Sequence, residues 1–123
     1  MLLVEVCLIT KDVLRLARFY RAVLETHADG DETHVAFATA GCRLAIYAKA
    51  AAIQDMKFDF PDGSGCGQTT LMFRTTDVAG EYARLAALGV DFITAPTTYP
   101  WDATSFHFRD PDGNIVGFVS TPD

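Results

Sequence analysis

Asp12 and Asp77 lie 65 positions apart, and each follows a short apolar run and opens a helical pattern. The same offset lays Val4-Glu5-Val6-Cys7-Leu8 over Thr69-Thr70-Leu71-Met72-Phe73, so what repeats is an order of elements more than a string of letters. A repeat of this kind constrains the fold strongly, because each copy must bury the same face of the same elements.

The first copy reads as a strand over residues 3–10, then a helix over Val13–Leu24 with Asp12 as its N-cap. Val13, Leu16, Ala17, Tyr20, Val23 and Leu24 share one helical face, and Arg15, Arg18 and Arg21 lie mostly off it, on the solvated side. A short strand is expected near residues 25–28, a turn at Asp29-Gly30-Asp31, and two strands over 33–39 and 42–48. The second copy reads as a strand over 69–75, a helix over Val78–Leu88 ended by Gly89, and strands over 90–94, 105–109 and Ile115–Ser120. Asp110-Pro111-Asp112-Gly113-Asn114 makes the tight turn between the last two, and its acids belong to turn chemistry. Residues 49–68 carry three glycines and Pro61-Asp62-Gly63 without a sustained period, which predicts a connector. The expectation is a single domain, residues 1–123, of two βαβββ modules at about 1–48 and 69–123.

Half of the chain is hydrophobic and 21% charged, enough to close a core at 123 residues. The net charge of −6 argues against nucleic acid, which needs a basic face, and is compatible with a cationic small molecule or simply with solubility. Cys7, Cys42 and Cys66 lack the short pairing of zinc or redox motifs. Cys7 and Cys42 sit in apolar runs and read as small buried hydrophobes, and a reducing cytoplasmic setting is expected. The N-terminal run contains Glu5 and no basic flank, so no membrane segment or signal peptide is expected there. There is no glycine-rich phosphate loop and no spacing that argues a nucleophilic triad.

Three stretches carry a resemblance. Val6-Cys7-Leu8-Ile9-Thr10-Lys11-Asp12-Val13 with Ala17-Arg18-Phe19-Tyr20, then Leu85-Ala86-Ala87-Leu88-Gly89-Val90-Asp91-Phe92, then Phe108-Arg109-Asp110-Pro111-Asp112-Gly113-Asn114 resemble, in order, the vicinal-oxygen-chelate superfamily. That superfamily includes glyoxalase I, extradiol dioxygenases and bleomycin-binding proteins, and the resemblance covers essentially the whole chain. It implies an α+β fold in which two βαβββ modules form a cup-shaped mixed sheet around a pocket. It also implies a homodimer, with exchange of modules between chains as one arrangement.

Metal-dependent members draw ligands from the first and last strand of each module, mostly His, Glu or Gln. The matching positions here are Glu5, Ala45, Thr70 and Gly117. Ala and Gly offer no donor, a neutral Thr hydroxyl is a poor one, and one carboxylate does not hold a divalent ion tightly. The resemblance therefore implies a member without a metal ligand set, and no cofactor is expected. His27, His34 and His107 match no ligand spacing.

Strand alternation sorts the pocket residues by face. Glu5, Cys7 and Ile9 share one, as do Arg43, Ala45 and Tyr47, then Thr70, Met72 and Arg74, then Ile115, Gly117 and Val119. Apolar walls with a few polar groups suit a small organic ligand. Glu5 is either a ligand-facing group and candidate general base, or one half of an internal ion pair with Arg43 or Arg74. Trp101, in the loop Tyr99-Pro100-Trp101-Asp102, either stacks on a flat ligand or packs as a lid. His107 faces away from Phe106 and Phe108, as a pocket base or an exposed strand residue. Three functions stay open: metal-free binding of a small organic molecule, an antibiotic among them; a glyoxalase-type lyase or isomerase, or a dioxygenase, with a non-standard metal site or Glu5 as base; and a structural partner domain.

Overall fold

The structure, a computed structural model, describes residues 1–61 and 69–122. The chain divides into two compact units, Met1–Asp62 and Gly63–Asp123. The first contains β1 (Glu5–Thr10), α1 (Val13–Leu24), β2 (Asp29–Gly30), β3 (His34–Phe37), β4 (Arg43–Ala48) and α2 (Lys49–Met56). The second contains β5 (Thr70–Arg74), α3 (Val78–Leu88), β6 (Asp91–Thr98), β7 (Thr104–Arg109) and β8 (Ile115–Ser120). Each has one four-stranded mixed sheet, in the orders β1-β4-β3-β2 and β5-β8-β7-β6. The outer pairs β1–β4 and β5–β8 are parallel and the remaining pairs antiparallel, so the second βαβββ module repeats the first. The fold is α+β.

The repeat extends to the atoms that start the helices. Asp12 accepts from the Arg15 N–H at 3.1 Å, and Asp77 from the Gly80 N–H at 2.9 Å. Two residues upstream, the Thr10 and Thr75 hydroxyls accept from the backbone N–H groups of Asp12 and Asp77 at 3.2 and 3.1 Å. Each strand end is thereby tied to its helix start by the same Thr-x-Asp device, which fixes the angle at which the helix returns over its sheet.

In the first unit, Val13, Leu16, Ala17, Tyr20 and Val23 of α1 are buried with Val35, Phe37, Leu44 and Ile46 of the sheet. Register pairs Val35 with Ile46 and Phe37 with Leu44, so these four share the helix-facing side. The second unit builds its core mainly from rings: Tyr82 of α3 lies 4.4 Å from Phe92 and 5.2 Å from Phe106, and Phe106 lies 5.6 Å from Phe118. Fully burying a phenylalanine, as at Phe106, contributes about 1.5–3 kcal/mol. In both units the core lies between helix and sheet, and the opposite sheet face carries the polar candidates.

Three expectations are corrected. The strand expected near residues 25–28 is instead Asp29–Gly30, read as a turn; it pairs with Ala36 and Val35 and is too short to show alternation. Gly30 has φ +152°, and a β-carbon there would stand 2.7 Å from Val35 Cα, so the close strand approach requires glycine. Within the segment read as a connector, Lys49–Met56 is helical: its alanine-rich sequence favours helix, but only Ala52 is buried, so no apolar period marks it. Asp62, Gly63, Cys66 and the rest of residues 62–68 lie outside the described residues. Cys7 is exposed and Cys42 half-buried, because an apolar neighbourhood in sequence does not say which sheet face a residue joins. No helix among the described residues is long and apolar enough to cross a membrane.

Candidate functional site

The parallel ladder of the first unit sets Glu5 beside Arg43, Cys7 beside Ala45, and Ile9 beside Tyr47, all on the face turned away from α1. The Glu5 carboxylate meets the Arg43 guanidinium at 3.7 Å, with side chains 39% and 60% exposed. Arg43 is therefore a partner of Glu5 within the first unit, and Arg74 is exposed on β5 of the second. A pair this open is screened by water, so it orients the two groups more than it stabilises the fold. Tyr47 is half-buried and its ring lies 5.9 Å from that of His34. Partial desolvation and, second, the neighbouring Glu5 charge push the Cys7 thiol above its usual range.

In the second unit, register places Met72, Gly117, His107 and Thr94 in one row across the sheet, on the face away from α3. A β-carbon on Gly117 would stand 2.7 Å from Met72 Cε, 2.8 Å from Met72 Sδ and 2.7 Å from the Phe106 carbonyl oxygen. The thioether therefore fills the space that a side chain at position 117 would need. Thr70 and Arg74 lie two residues to either side of Met72, opposite Ile115 and Val119, and both are exposed.

The four positions that the resemblance implies for metal ligands do not carry a donor set. Ala45 is fully buried and has no donor, Gly117 lies under a thioether, Thr70 offers a neutral hydroxyl, and Glu5 is turned to a guanidinium. His27 is exposed and meets Asp29 at 2.7 Å, and His34 lies beside Tyr47. Among the described residues, no group of three or more His, Cys, Asp or Glu is placed to hold a metal ion.

His107 is half-buried, and Thr94 makes two contacts with it. The His107 backbone N–H donates to Thr94 Oγ1 at 2.9 Å, and the same hydroxyl lies 2.9 Å from His107 Nδ1. Thr94 was not among the residues singled out from sequence. Plain alternation in β6 puts it on the Phe92 side, but a register irregularity between Phe92 and Thr94 turns it to face His107. The available signal was Pro96, since proline inside a strand marks an edge or a bulge.

Trp101 is 69% exposed and stacks on Tyr99 with ring centres 5.0 Å apart and planes 7° from parallel. The loop is tied by Tyr99 and Ala103 backbone groups at 2.9 Å and turns at Asp102 with φ +66°. Trp101 thus packs on its loop neighbour and leaves most of its surface to solvent. Asp110 is buried; its carboxylate accepts from the Asp112 and Asn114 N–H groups at 2.9 Å, which is how the closing turn is held.

The family model described as "Glyoxalase/Bleomycin resistance protein/Dioxygenase superfamily" matches residues 2–118. The uncharacterized protein YetH of Bacillus subtilis (strain 168) is 35% identical over 73 residues, 59% of this chain; the match spans about half, 52%, of YetH. A glyoxalase/bleomycin resistance protein/dioxygenase family enzyme from Burkholderia phytofirmans PsJN superimposes with a TM-score of 0.82 at 19% identity, covering 99% of this chain and 100% of that one. A lactoylglutathione lyase from Agrobacterium tumefaciens superimposes with a TM-score of 0.74 at 21% identity, covering 95% and 91%. At these identities the structural likeness is one of fold.

Proposed function

The chain belongs to the glyoxalase/bleomycin resistance protein/dioxygenase superfamily, and we propose that within it the protein binds and sequesters a small organic molecule without a resident metal. The observation that carries this reading is Met72 lying over Gly117, at the strand position where metal-dependent relatives place a ligand. In the first unit Ala45 is likewise buried and donorless, so each unit lacks a donor at one of these positions, which supports binding of an organic ligand over metal chemistry.

In this reading the second unit offers Met72 and Gly117 as an apolar, polarisable floor with Thr70 beside it, and the first unit offers Cys7 and Tyr47 on its own sheet face. Polar groups that can orient a ligand are Glu5 and Arg43 in the first unit and Arg74 and His107 in the second, where Trp101 also offers an exposed face for stacking. The protein acts in the cytoplasm as a homodimer, and nucleic acid and membranes are not its partners.

The test uses purified untagged protein. Elemental analysis should find no stoichiometric nickel, zinc, manganese or iron, and added Ni²⁺ or Zn²⁺ should not raise the melting temperature. A panel of planar antibiotics and aromatic metabolites should contain a compound that shifts the melting temperature and the Trp101 fluorescence. Stoichiometric metal in the isolated protein overturns the reading, as does a silent panel. Native mass spectrometry reads the subunit count in the same preparation.

A second reading is turnover of a small carbonyl or thiol substrate with Glu5 as general base. The accessibility of its carboxylate favours it. Here Glu5→Gln should abolish a measured activity while leaving the melting curve in place; retained activity removes this reading.

A further inference from the structure

We propose that Thr94 is a positioning residue that fixes the tautomer of the neutral His107 imidazole, with the proton on Nε2, so that His107 offers an N–H donor to an acceptor oxygen of the ligand. The donor role rests on the binding reading above, whereas the tautomer does not.

The argument starts from one oxygen with two neighbours. Thr94 Oγ1 accepts the His107 backbone N–H at 2.9 Å and lies 2.9 Å from Nδ1 of the same residue. A hydroxyl has one proton to give. Donating it to Nδ1 satisfies both groups at once: backbone N–H to oxygen, and oxygen's hydrogen to ring nitrogen. Were Nδ1 protonated instead, the oxygen would take two donors, and its own hydrogen would need a third partner. Among the described residues these two are the hydrogen bonds of Thr94 Oγ1, so in that case its hydrogen would be left to solvent, whereas donation to Nδ1 pairs every group within the protein. The closed arrangement therefore selects the tautomer whose proton is on Nε2.

The backbone is built to bring this about. Phe92 pairs with Phe108 and Thr94 with His107, so β6 spends one extra residue, Ile93, between the two pairs. Without that irregularity Ile93 would stand opposite His107, and Thr94 would point to the α3 side. Bulges are common on edge strands, of which β6 is one, and beside active sites, where they re-aim a side chain.

The surroundings define the ligand chemistry. On its other side His107 pairs with Gly117, which bears no side chain, and over that glycine lies the Met72 thioether, a weak acceptor. An N–H donor beside an apolar floor selects an organic molecule whose acceptor oxygen, a carbonyl above all, is set in an apolar body. A buried donor that finds no acceptor on the ligand costs binding, so the group would discriminate by penalty as well as by attraction.

Long-range proton–nitrogen correlation spectra of the imidazoles, recorded on the ¹⁵N-labelled full chain, test this directly. The pH should be about 8.5, where an ordinary histidine is neutral. His107→Gln identifies which of the three histidine patterns is His107. The expected pattern is a pyrrole-type Nε2 and a pyridine-type Nδ1. Thr94→Val should replace it with a tautomer-averaged pattern, and Thr94→Ser should restore it. An Nδ1-protonated or averaged His107 in the unaltered protein overturns the proposal, and that spectrum decides even if Thr94→Val fails to fold. An unchanged pattern in folded Thr94→Val overturns it too. If the tautomer is as stated but the ligand panel is silent, the binding reading falls and the positioning role of Thr94 stands.

Discussion

Met72 lies across Gly117, with Sδ and Cε 2.8 and 2.7 Å from where a β-carbon on that glycine would stand. The two residues complement each other: the missing side chain on β8 is what lets the β5 thioether lie down. Gly117→Ala should therefore destabilise the protein by about 1–3 kcal/mol, as overpacked positions do. Met72→Ala alone should cost less, since Met72 is 40% exposed. In the Met72→Ala background Gly117→Ala should still destabilise, because the Phe106 carbonyl at 2.7 Å is backbone and does not swing away. Urea denaturation of the four proteins reads the cycle. A Gly117→Ala protein as stable as its parent would show that the site is not closed in this way.

The repeated Thr-x-Asp device predicts repeated energetics. Asp12→Ala and Asp77→Ala should each cost about 1 kcal/mol, the usual worth of an N-cap. The acceptors serve different donors, Arg15 N–H and Gly80 N–H, so the double variant should lose close to the sum. Chemical denaturation with fluorescence and circular dichroism measures this; a strongly sub-additive pair would mean that the two caps share more than a sequence pattern.

Asp31 gives a pH signature of known sign. Its carboxylate accepts from the Thr33 and His34 N–H groups at 2.9 and 3.1 Å, and these bonds, the Thr33 one foremost, hold its pKa below the ordinary 3.8. A folded-state pKa below the unfolded one means stabilisation that is complete above the unfolded value and is lost as pH falls through the folded one. Asp31→Asn should be less stable than the parent at neutral pH, and the gap should narrow once the pH drops below 3.8. Because Asp31 is on the surface the gap is small, so thermal melts at low salt suit it best. A gap that widens on acidification contradicts the assignment.

Much of this architecture was legible in the residues. Asp12, Asp77 and Gly89 are local signals, and the helices run Val13–Leu24 and Val78–Leu88 as those signals predict. Alternation likewise put Glu5 and Cys7 on one face, and Thr70, Met72 and Arg74 on another, which the registers reproduce. What escaped depends on partners distant in sequence. Asp29–Gly30 is a strand only because Ala36 and Val35 are there to pair with it. The α2 helix buries Ala52 alone, so it leaves no stripe to read. Thr94 faces His107 because of one extra residue in β6, and a single such slip reverses every face assignment downstream of it. The Met72–Gly117 fit was invisible for a related reason: sequence can place both on one face but cannot say that one lies over the other.

Cys7 and Glu5 supply a chemical test of the first unit's open face. They are two residues apart on β1 and point the same way, and the Glu5 charge adds to partial desolvation in raising the thiol's pKa. The thiolate is the nucleophile, so a raised pKa means less of it at neutral pH and slower alkylation. Iodoacetamide should therefore modify Cys7 more slowly than an unperturbed peptide thiol at equal pH, although the residue is exposed. Glu5→Gln removes the carboxylate's contribution and leaves desolvation, so it should speed the reaction at neutral pH without reaching the peptide rate. Arg43→Gln should act in the opposite direction, since its guanidinium, 3.7 Å from the carboxylate, offsets that charge. Peptide mass spectrometry keeps Cys7 apart from Cys42 and Cys66 in these rate measurements. A Glu5→Gln protein whose Cys7 reacts no faster than the parent's would mean that the carboxylate does not act on the thiol across this face.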